Sequence, residues 1–539
     1  MLHSKYPYKP QGELVNEKDA FIKNIVHPIE EARGVPAAHR TPVDQELNLT
    51  PLHIQYNNLV KWARVRNSTT SDVLGWSPNL VLQMHKRQRS LLARLINVMN
   101  QAAWPNPHQD HLFTVAFRVM SLFTVPKPDG TPRPIGMPSL FRRHTGGIWA
   151  KAARPFVAKL CESRQQYGLS DERFTLAYTF AASWVVQLGG TVISNDKSNS
   201  FHEFHRNSIL EAVKEAVQLA LHEHNYEVAD ALRAILEFCF LDTSCTTYHD
   251  SCTDNHISNL FNRKGVDWIG FNRQKPQPLA GDHGICRNTA VSTDPCLPPV
   301  LSNSLVQGDA PSSLLEALVY AKANHDRGVR NPVGVIAPGA HDDAYIAAMP
   351  NTPIKHMQCP DQDNGSVMNR KKHIAVGSQA TEAVSANAAS GAEEYHKILG
   401  VPIGDVPAAL RNWMIYFRQT TLQNLAELGT LQLHSQLVAM MRYSGPAGAL
   451  QHQLRCIPPS DDILPILRQV DDLWITTWMD LAGVPKDIQL QRDVREHVRR
   501  MVFTRGAGGL GHQSAEENAE LYYFRGVQKV TEPGTPLEI

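Results

Sequence analysis

Two acidic positions in this sequence each follow an apolar, β-branched run. Asp196 ends TVISND, and Asp342-Asp343 lie within VGVIAPGAHDDAYIAA. A carboxylate at a strand end is costly to desolvate unless a cation meets it. Aspartates on adjacent strands are hard oxygen ligands for divalent cations. Two such cations activate a hydroxyl and stabilise the leaving group of phosphoryl transfer. The same residues also fit a turn cap at Asp196 and a solvated hairpin at Asp342-Asp343, and one Asp-Asp pair does not decide between the two.

The surrounding pattern supplies elements to position these groups. Residues 1–75 mix Pro, Asn and Thr with little periodicity and read as an irregular extension. From Pro78 to about Ala103 apolar residues recur at three and four, which predicts one amphipathic helix. LFTV and TPRPIGMP flank Pro128-Asp129-Gly130, a hairpin signal. Helical text follows over 141–161, a short strand at 191–194, and helices over 207–221 and 226–240. Residues 241–300 read as an irregular insertion, 311–324 as a helix, and VGVIAP with AYIAAM as a strand pair. Residues 351–395 look loop-rich, 406–480 mostly helical, and 488–504 form a basic helix before the glycine cluster 506–511.

The order of the motifs is more specific than any one of them. A basic hairpin, VPKPDGTPRPIGMP, precedes Asp196. SLVQGD (304–309) lies between Asp196 and Asp342. GSVMNRKKHIAVG and KILGVPIGD follow the Asp pair, and GAGGLGHQS closes the series. Over roughly residues 80–520 this order resembles the reverse transcriptases of eukaryotic non-LTR retrotransposons. That resemblance implies an α/β right-hand polymerase: an N-terminal extension at 1–77, fingers at 78–190, a palm with an antiparallel sheet at 191–405 carrying the 241–300 insertion, and a helical thumb with the C-terminal segment at 406–539.

By position, the resemblance implies that Lys127 and Arg133 contact the triphosphate of the incoming nucleotide, as point charge and fork donor. Asp196 and Asp342 become the principal metal ligands with Asp343 in support, for two Mg2+ ions or Mn2+. Phe201 falls where reverse transcriptases place the aromatic that excludes a ribose 2′-hydroxyl. Gln307 and Gly308 line the nucleotide pocket, the glycine because backbone approaches closely there. Lys372 matches the lysine that assists pyrophosphate departure, and Leu399-Gly400 the turn that grips the primer end. The implied reaction is RNA-templated DNA synthesis, with an RNA template, a DNA primer and deoxynucleoside triphosphates as partners. The flanks are short for the endonuclease domain of such elements, so a fragment, a remnant and the partner of a separate nuclease all stand as expectations. An RNA-dependent RNA polymerase and a decayed, nucleic-acid-binding relative are the competing expectations. The chain departs from the family pattern at Ala340-His341, where an aromatic usually stands two residues before the Asp pair.

Composition sets the outer limits. There are 53 Lys and Arg against 52 Asp and Glu, a net charge of +1, which excludes a simple polycation. The charge is uneven. Residues 84–164 hold thirteen Lys and Arg against three Asp and Glu, an excess of ten that leaves about −9 on the rest. Such a stretch suits a nucleic-acid backbone. Arg492, Arg495, Arg499, Arg500 and Arg505 form a second basic stretch, expected to contact template. Eight cysteines without framework spacing fit a reducing, intracellular setting. The amino terminus has no apolar signal core, and no apolar run approaches the ~20 residues of a membrane helix, so a soluble protein is expected. Within the insertion, Cys245, His249, Cys252 and His256 offer four ligands of the kind that hold zinc, at a spacing matching no common finger.

Overall fold

The computed structural model describes residues 19–42, 56–66, 72, 76–100, 120–126, 132–170, 172–195, 197–198, 204–236, 246–248, 305, 307–326, 335–341, 343–357, 367–369, 372–387, 391–423, 427, 446–504 and 510–532. Contrary to the irregular extension expected at the amino end, a helical turn at Ile22–Val26 runs into α1 (His27–Ala32), and α2 spans Tyr56–Val65. Ile22, Ile25, Val26 and Ile29 are spaced at three and four, and they join Leu59 and Ala63 in one buried cluster. Helical spacing of apolar residues outweighs the scattered Pro, Asn and Thr.

The single helix expected from Pro78 is two, α3 (Pro78–Gln83) and α4 (Lys86–Asn100). Met84 is extended at the break. His85 Nδ1 accepts from Arg87 N at 3.3 Å, while Gln88 Oε1 accepts from His85 N at 2.8 Å. This reciprocal cap starts α4 afresh. Strands β1 (Met120–Pro126) and β2 (Pro132–Pro138) pair antiparallel as the expected hairpin, with Pro126 opposite Pro132. Its turn, 127–131, lies outside the described residues.

Then come α5 (Leu140–Glu162), α6 (Glu172–Gln187), β3 (Thr191–Asn195), β4 (Lys197–Ser198), α7 (Arg206–His222), α8 (Tyr226–Ile235), β5 (Thr246–Tyr248) and α9 (Ser312–Asp326). Strands β6 (Val335–Ile336), β7 (Gly339–Ala340), β8 (Asp343–Ala348), β9 (Val367–Met368) and β10 (Ile374–Gly377) follow, with α10 (Ala380–Ala386) and β11 (Gly391–Ala392). Within 351–395, expected to be loop-rich, β10 enters the main sheet and α10 packs beside it. Strands β12 (Tyr395–Ile398) and β13 (Val401–Gly404) form a hairpin. Among the helices that follow are α11 (Val406–Phe417), α12 (Pro446–Leu454), α13 (Leu464–Leu481), α14 (Arg492–Phe503) and α15 (Ala515–Thr531), with a single turn at Lys486–Gln489 before α14.

The main sheet has the order β11-β10-β3-β8-β6, with β7 also on β8. Its centre is antiparallel: β3 pairs β8 from Thr191↔Ala348 to Asn195↔Ala344, and β10 from Thr191↔Gly377 to Ser194↔Ile374. All five residues of β3 are buried. Side chains alternate between two faces. Val192, Tyr345 and Ala347 share a core with Leu176 and Tyr178 of α6, whereas Ile193, Ile346 and Ala348 join Ala380 and Ala383 of α10. Covering both faces explains the nearly continuous apolar text of these strands.

The C-terminal helices pack around Trp474, which is fully buried with Leu467, Val470, Val502 and Tyr522. Ser514 caps α15 through Glu517 N. Asp471, buried in α13, accepts from Ser514 Oγ at 2.5 Å, from Ala515 N at 2.8 Å and from Glu516 N at 3.2 Å. Burial pushes its carboxyl up to about 6, against those hydrogen bonds and the nearby Arg499. The GLGHQS text is thus a docking motif: Leu510 N and His512 N donate to Met501 O and Val502 O of α14, and Ser514 starts the next helix.

Candidate active site

Of the sequence-predicted carboxylates, Asp343 is the one among the described residues, and it stands at one end of the main sheet. The last described pair of β3 and β8 is Asn195↔Ala344. Asp343, the first residue of β8, is half-buried, and its Oδ2 accepts from the Tyr345 hydroxyl at 3.0 Å. Tyr345 is itself buried against Tyr178, with ring centroids 5.2 Å apart. Asp196 and Asp342 lie outside the described residues, but each is covalently next to a placed one: Asp196 follows Asn195, and Asp342 precedes Asp343.

The turn before Asp343 is held from outside the sheet. Ala340 pairs with Asp343, so the connection between β7 and β8 is two residues, His341 and Asp342. His341 has φ +55°, a left-handed value uncommon for any residue but glycine. Buried Gln166 grips it: its Oε1 accepts from His341 N at 3.0 Å, and its Nε2 donates to His341 O at 3.4 Å. Tyr167 N donates to Gly339 O at 2.7 Å, and Gly339 N donates to Gln165 O at 2.8 Å. Gly168 comes so near that a Cβ there would stand 2.7 Å from His341 N. On the other side, His341 Nδ1 lies 3.0 Å from Oε2 of Glu316, a fully buried residue of α9. Sequence reasoning missed Gln166 and Glu316. The one available signal was the lone carboxylate inside SSLLEALVYA.

A second set joins the hairpin to the Gln307-Gly308-Asp309 turn. Gly136 N of β2 donates to Gln307 O at 2.7 Å. Gly308 has φ +110°, and a Cβ on it would meet Gly136 O at 2.2 Å, so glycine is required by both conformation and space. Gln307 is half-buried and Gly308 exposed. Asp309 is a buried partner of Arg142, not an exposed acid. Arg142 Nη2 donates to Asp309 Oδ2 at 2.8 Å and Nε to the same oxygen at 3.2 Å. Arg133 lies on β2 opposite Val125. Its side chain is outside the described residues, as are Lys127 and Phe201.

Lys372 is exposed on the short turn that leads into β10, where its N–H donates to Asn369 O at 2.9 Å. Ile374, two residues on, pairs with Ser194, so this segment enters at the Asn195 end of β3. Leu399 and Gly400 form the two-residue turn of the β12–β13 hairpin, with φ +50° and +84°. Their position is fixed by His452 of α12, whose Nε2 lies 2.9 Å from Leu399 O.

The basic stretches divide on inspection. Arg142 is consumed by Asp309 and is almost fully buried. In α14, Arg499 lies among Asp471, Asp472, Glu516 and Glu517, and Arg495 Nη1 donates to Thr476 Oγ1 at 3.2 Å. These two arginines tie α14 to α13 and α15. Glu215, His325 and Asp326 could converge on a cation, but Arg164 lies 2.6 Å from Glu215 and Lys322 lies 2.7 Å from Asp326, neutralising the acids. Cys245, His249, Cys252 and His256 lie outside the described residues. No helix among the described residues is long and apolar enough to cross a membrane.

No family model and no curated protein matches the chain. Among solved structures, telomerase from Candida albicans in complex with a TWJ fragment of telomeric RNA aligns at 11% identity and TM-score 0.31, covering 75% of this chain and 64% of that one. Apo telomerase from Candida tropicalis aligns at 10% identity and TM-score 0.34, covering 98% and 97%. Its complex with the TWJ fragment aligns at 10% and 0.31, covering 98% and 92%. This chain therefore spans just under two thirds of the first of these. Scores this low establish no shared fold, so function must be argued from the residues themselves.

Proposed function

We propose that the protein is an RNA-directed DNA polymerase with a right-hand organisation, of the kind found in non-LTR retrotransposons. The observation that carries this reading is the antiparallel pairing of β3 with β8, which ends at Asn195↔Ala344. Asp343 directly precedes Ala344 in one of these facing strands, and Asp196 directly follows Asn195 of the other in sequence, which supports their acting together. The β10 register runs toward the same end and carries Lys372 two residues before Ile374.

An all-carboxylate set is a hard-oxygen set, which fits Mg2+ or Mn2+. Two such ions, when bound, supply hydroxyl activation and charge stabilisation for nucleotidyl transfer. The chain's own residues do the rest. Asp196, Asp342 and Asp343 hold the ions. Lys127 and Arg133, on the hairpin, neutralise the triphosphate. Gln307, whose carbonyl accepts from Gly136 N of that hairpin, and Gly308 line the template and nucleotide pocket, and Phe201 excludes a ribose 2′-hydroxyl. Lys372 aids pyrophosphate departure, and the Leu399-Gly400 turn, anchored on His452, holds the primer end. Positioning and charge neutralisation then supply most of the rate.

The test is extension of a DNA primer on an RNA template with Mg2+ or Mn2+, with Asp342→Asn as the blank. Equal product from both proteins contradicts the reading. In the same assay Phe201→Ala should admit ribonucleotides. Failure to do so, or ribonucleotide preference in the wild type, favours an RNA polymerase.

A further inference from the structure

The left-handed backbone at His341 is not paid for within its own turn. Conformations of this kind cost on the order of 1–3 kcal/mol and persist where the surroundings over-determine them. Here the surroundings come from two other elements. The Gln165–Gly168 linker between α5 and α6 lies alongside β7 as a short parallel bridge, Gln166↔Gly339. Gln166 satisfies both the N–H and the carbonyl of His341, 175 residues away in sequence. Glu316 reaches the imidazole from α9. Glu316 is fully buried within the apolar run LLEALVYA of α9, where a carboxylate costs stability unless it is partnered. A buried acid reaching such a turn is the arrangement expected of an outer shell around a metal site, where such partners fix ligands that they do not themselves touch.

We infer that Gln166 and Glu316 are positioning residues for the Asp342-Asp343 turn, acting through His341 to set the place of the metal-holding carboxylates. The inference rests on the reading that those carboxylates hold divalent cations. It also accounts for the departure at Ala340-His341: the turn is fixed by a polar brace, and histidine is the residue that both tolerates a positive φ and reaches Glu316.

The experiment is Mn2+ titration of the full chain, followed by electron paramagnetic resonance, on wild type, Gln166→Ala, Glu316→Leu, Glu316→Gln and His341→Asn, with a thermal melt of each. Asn accepts the left-handed backbone but is too short to bridge to Glu316, so His341→Asn should stay folded with a lowered melting temperature. Gln166→Ala, Glu316→Leu and His341→Asn should each weaken Mn2+ binding by about tenfold or more. Glu316→Gln, which keeps an oxygen facing the imidazole, should bind near the wild-type level. Wild-type affinity in His341→Asn overturns the inference whatever the other variants do, as does a wild-type protein that binds no Mn2+. Glu316→Leu leaves the imidazole present, so a loss there separates positioning from direct ligation by His341. Primer extension run alongside separates the two readings. Altered Mn2+ binding without extension by wild type removes the polymerase and leaves the brace, whereas extension with unaltered Mn2+ binding removes the brace alone.

Discussion

Arg142 and Asp309 form an ion pair with Nη2 and Oδ2 2.8 Å apart and side chains 1% and 4% exposed. It ties the first turn of α5 to the Gln307-Gly308-Asp309 turn, across 167 residues of sequence. Because β2 runs directly into α5, the pair also sets the distance between the hairpin and that turn. Removing one partner of such a pair leaves an uncompensated buried charge. Arg142→Met or Asp309→Leu alone should lower unfolding free energy by about 3–5 kcal/mol, and the double variant by much less. Urea unfolding of all four proteins closes the cycle. Additive losses would mean that the pair is not coupled.

Gly308→Ala should be among the most damaging single-methyl changes in the protein. The new Cβ would meet Gly136 O at 2.2 Å on a backbone with φ +110°. Hairpin and turn must then separate, so primer extension should fall at least tenfold, with most of the loss in the nucleotide KM if Gln307 lines the pocket. A variant with wild-type kinetics would show that this close approach is not maintained in solution.

His144 supplies a pH-dependent prediction. It is buried in α5 against Trp62, neither ring nitrogen has a hydrogen-bond partner, and burial pulls its pKa from 6.5 down to about 4. The native state keeps it neutral while the unfolded chain takes up the proton. Its contribution is therefore complete above pH 6.5 and lost as pH falls toward 4, to a limit of about 3 kcal/mol. His144→Phe, which keeps a ring against Trp62, should show a shallower loss of stability than wild type across that window. Parallel curves would contradict the assignment.

The Asp471–Ser514 cap ties α15 to α13. Ser514→Ala should cost about 1 kcal/mol as a lost N-cap. Asp471→Ala should cost more, about 2–3 kcal/mol, because it leaves the Ser514 hydroxyl and two amide donors facing apolar surface. Hydrogen exchange should show the change concentrated in residues 515–531. Uniform exchange across the chain would mean that this cap does not govern the docking of the last helix.

Much of the sheet was legible in the sequence because its physics is local. TVISN is β-branched and apolar, and being buried on both faces it has no polar alternation to confuse it. The hairpin announced itself through Pro128-Asp129-Gly130. What was not legible depends on partners distant in sequence. Gln166 looks like any loop glutamine until His341 is placed beside it. Asp309 reads only as the last residue of SLVQGD, and the fold shows it paired with Arg142. The helices near Ile22 and Tyr56 were hidden by interspersed Pro and Asn, although the apolar spacing of Ile22, Ile25, Val26 and Ile29 was present to be counted.

The central claim is that Asp196 and the Asp342-Asp343 pair act at one place, on neighbouring strand ends, to join deoxynucleotides on an RNA template. Its most direct measurement is single-nucleotide extension of an end-labelled DNA primer on an RNA template by the wild-type chain, Asp196→Asn and Asp342→Asn, each confirmed folded by its melt. The account predicts extension by the wild type and a loss of at least a thousandfold in each variant, with the double variant no worse than either alone, as for groups that act as one unit. Extension that survives in Asp196→Asn, or losses that multiply in the double variant, would contradict it.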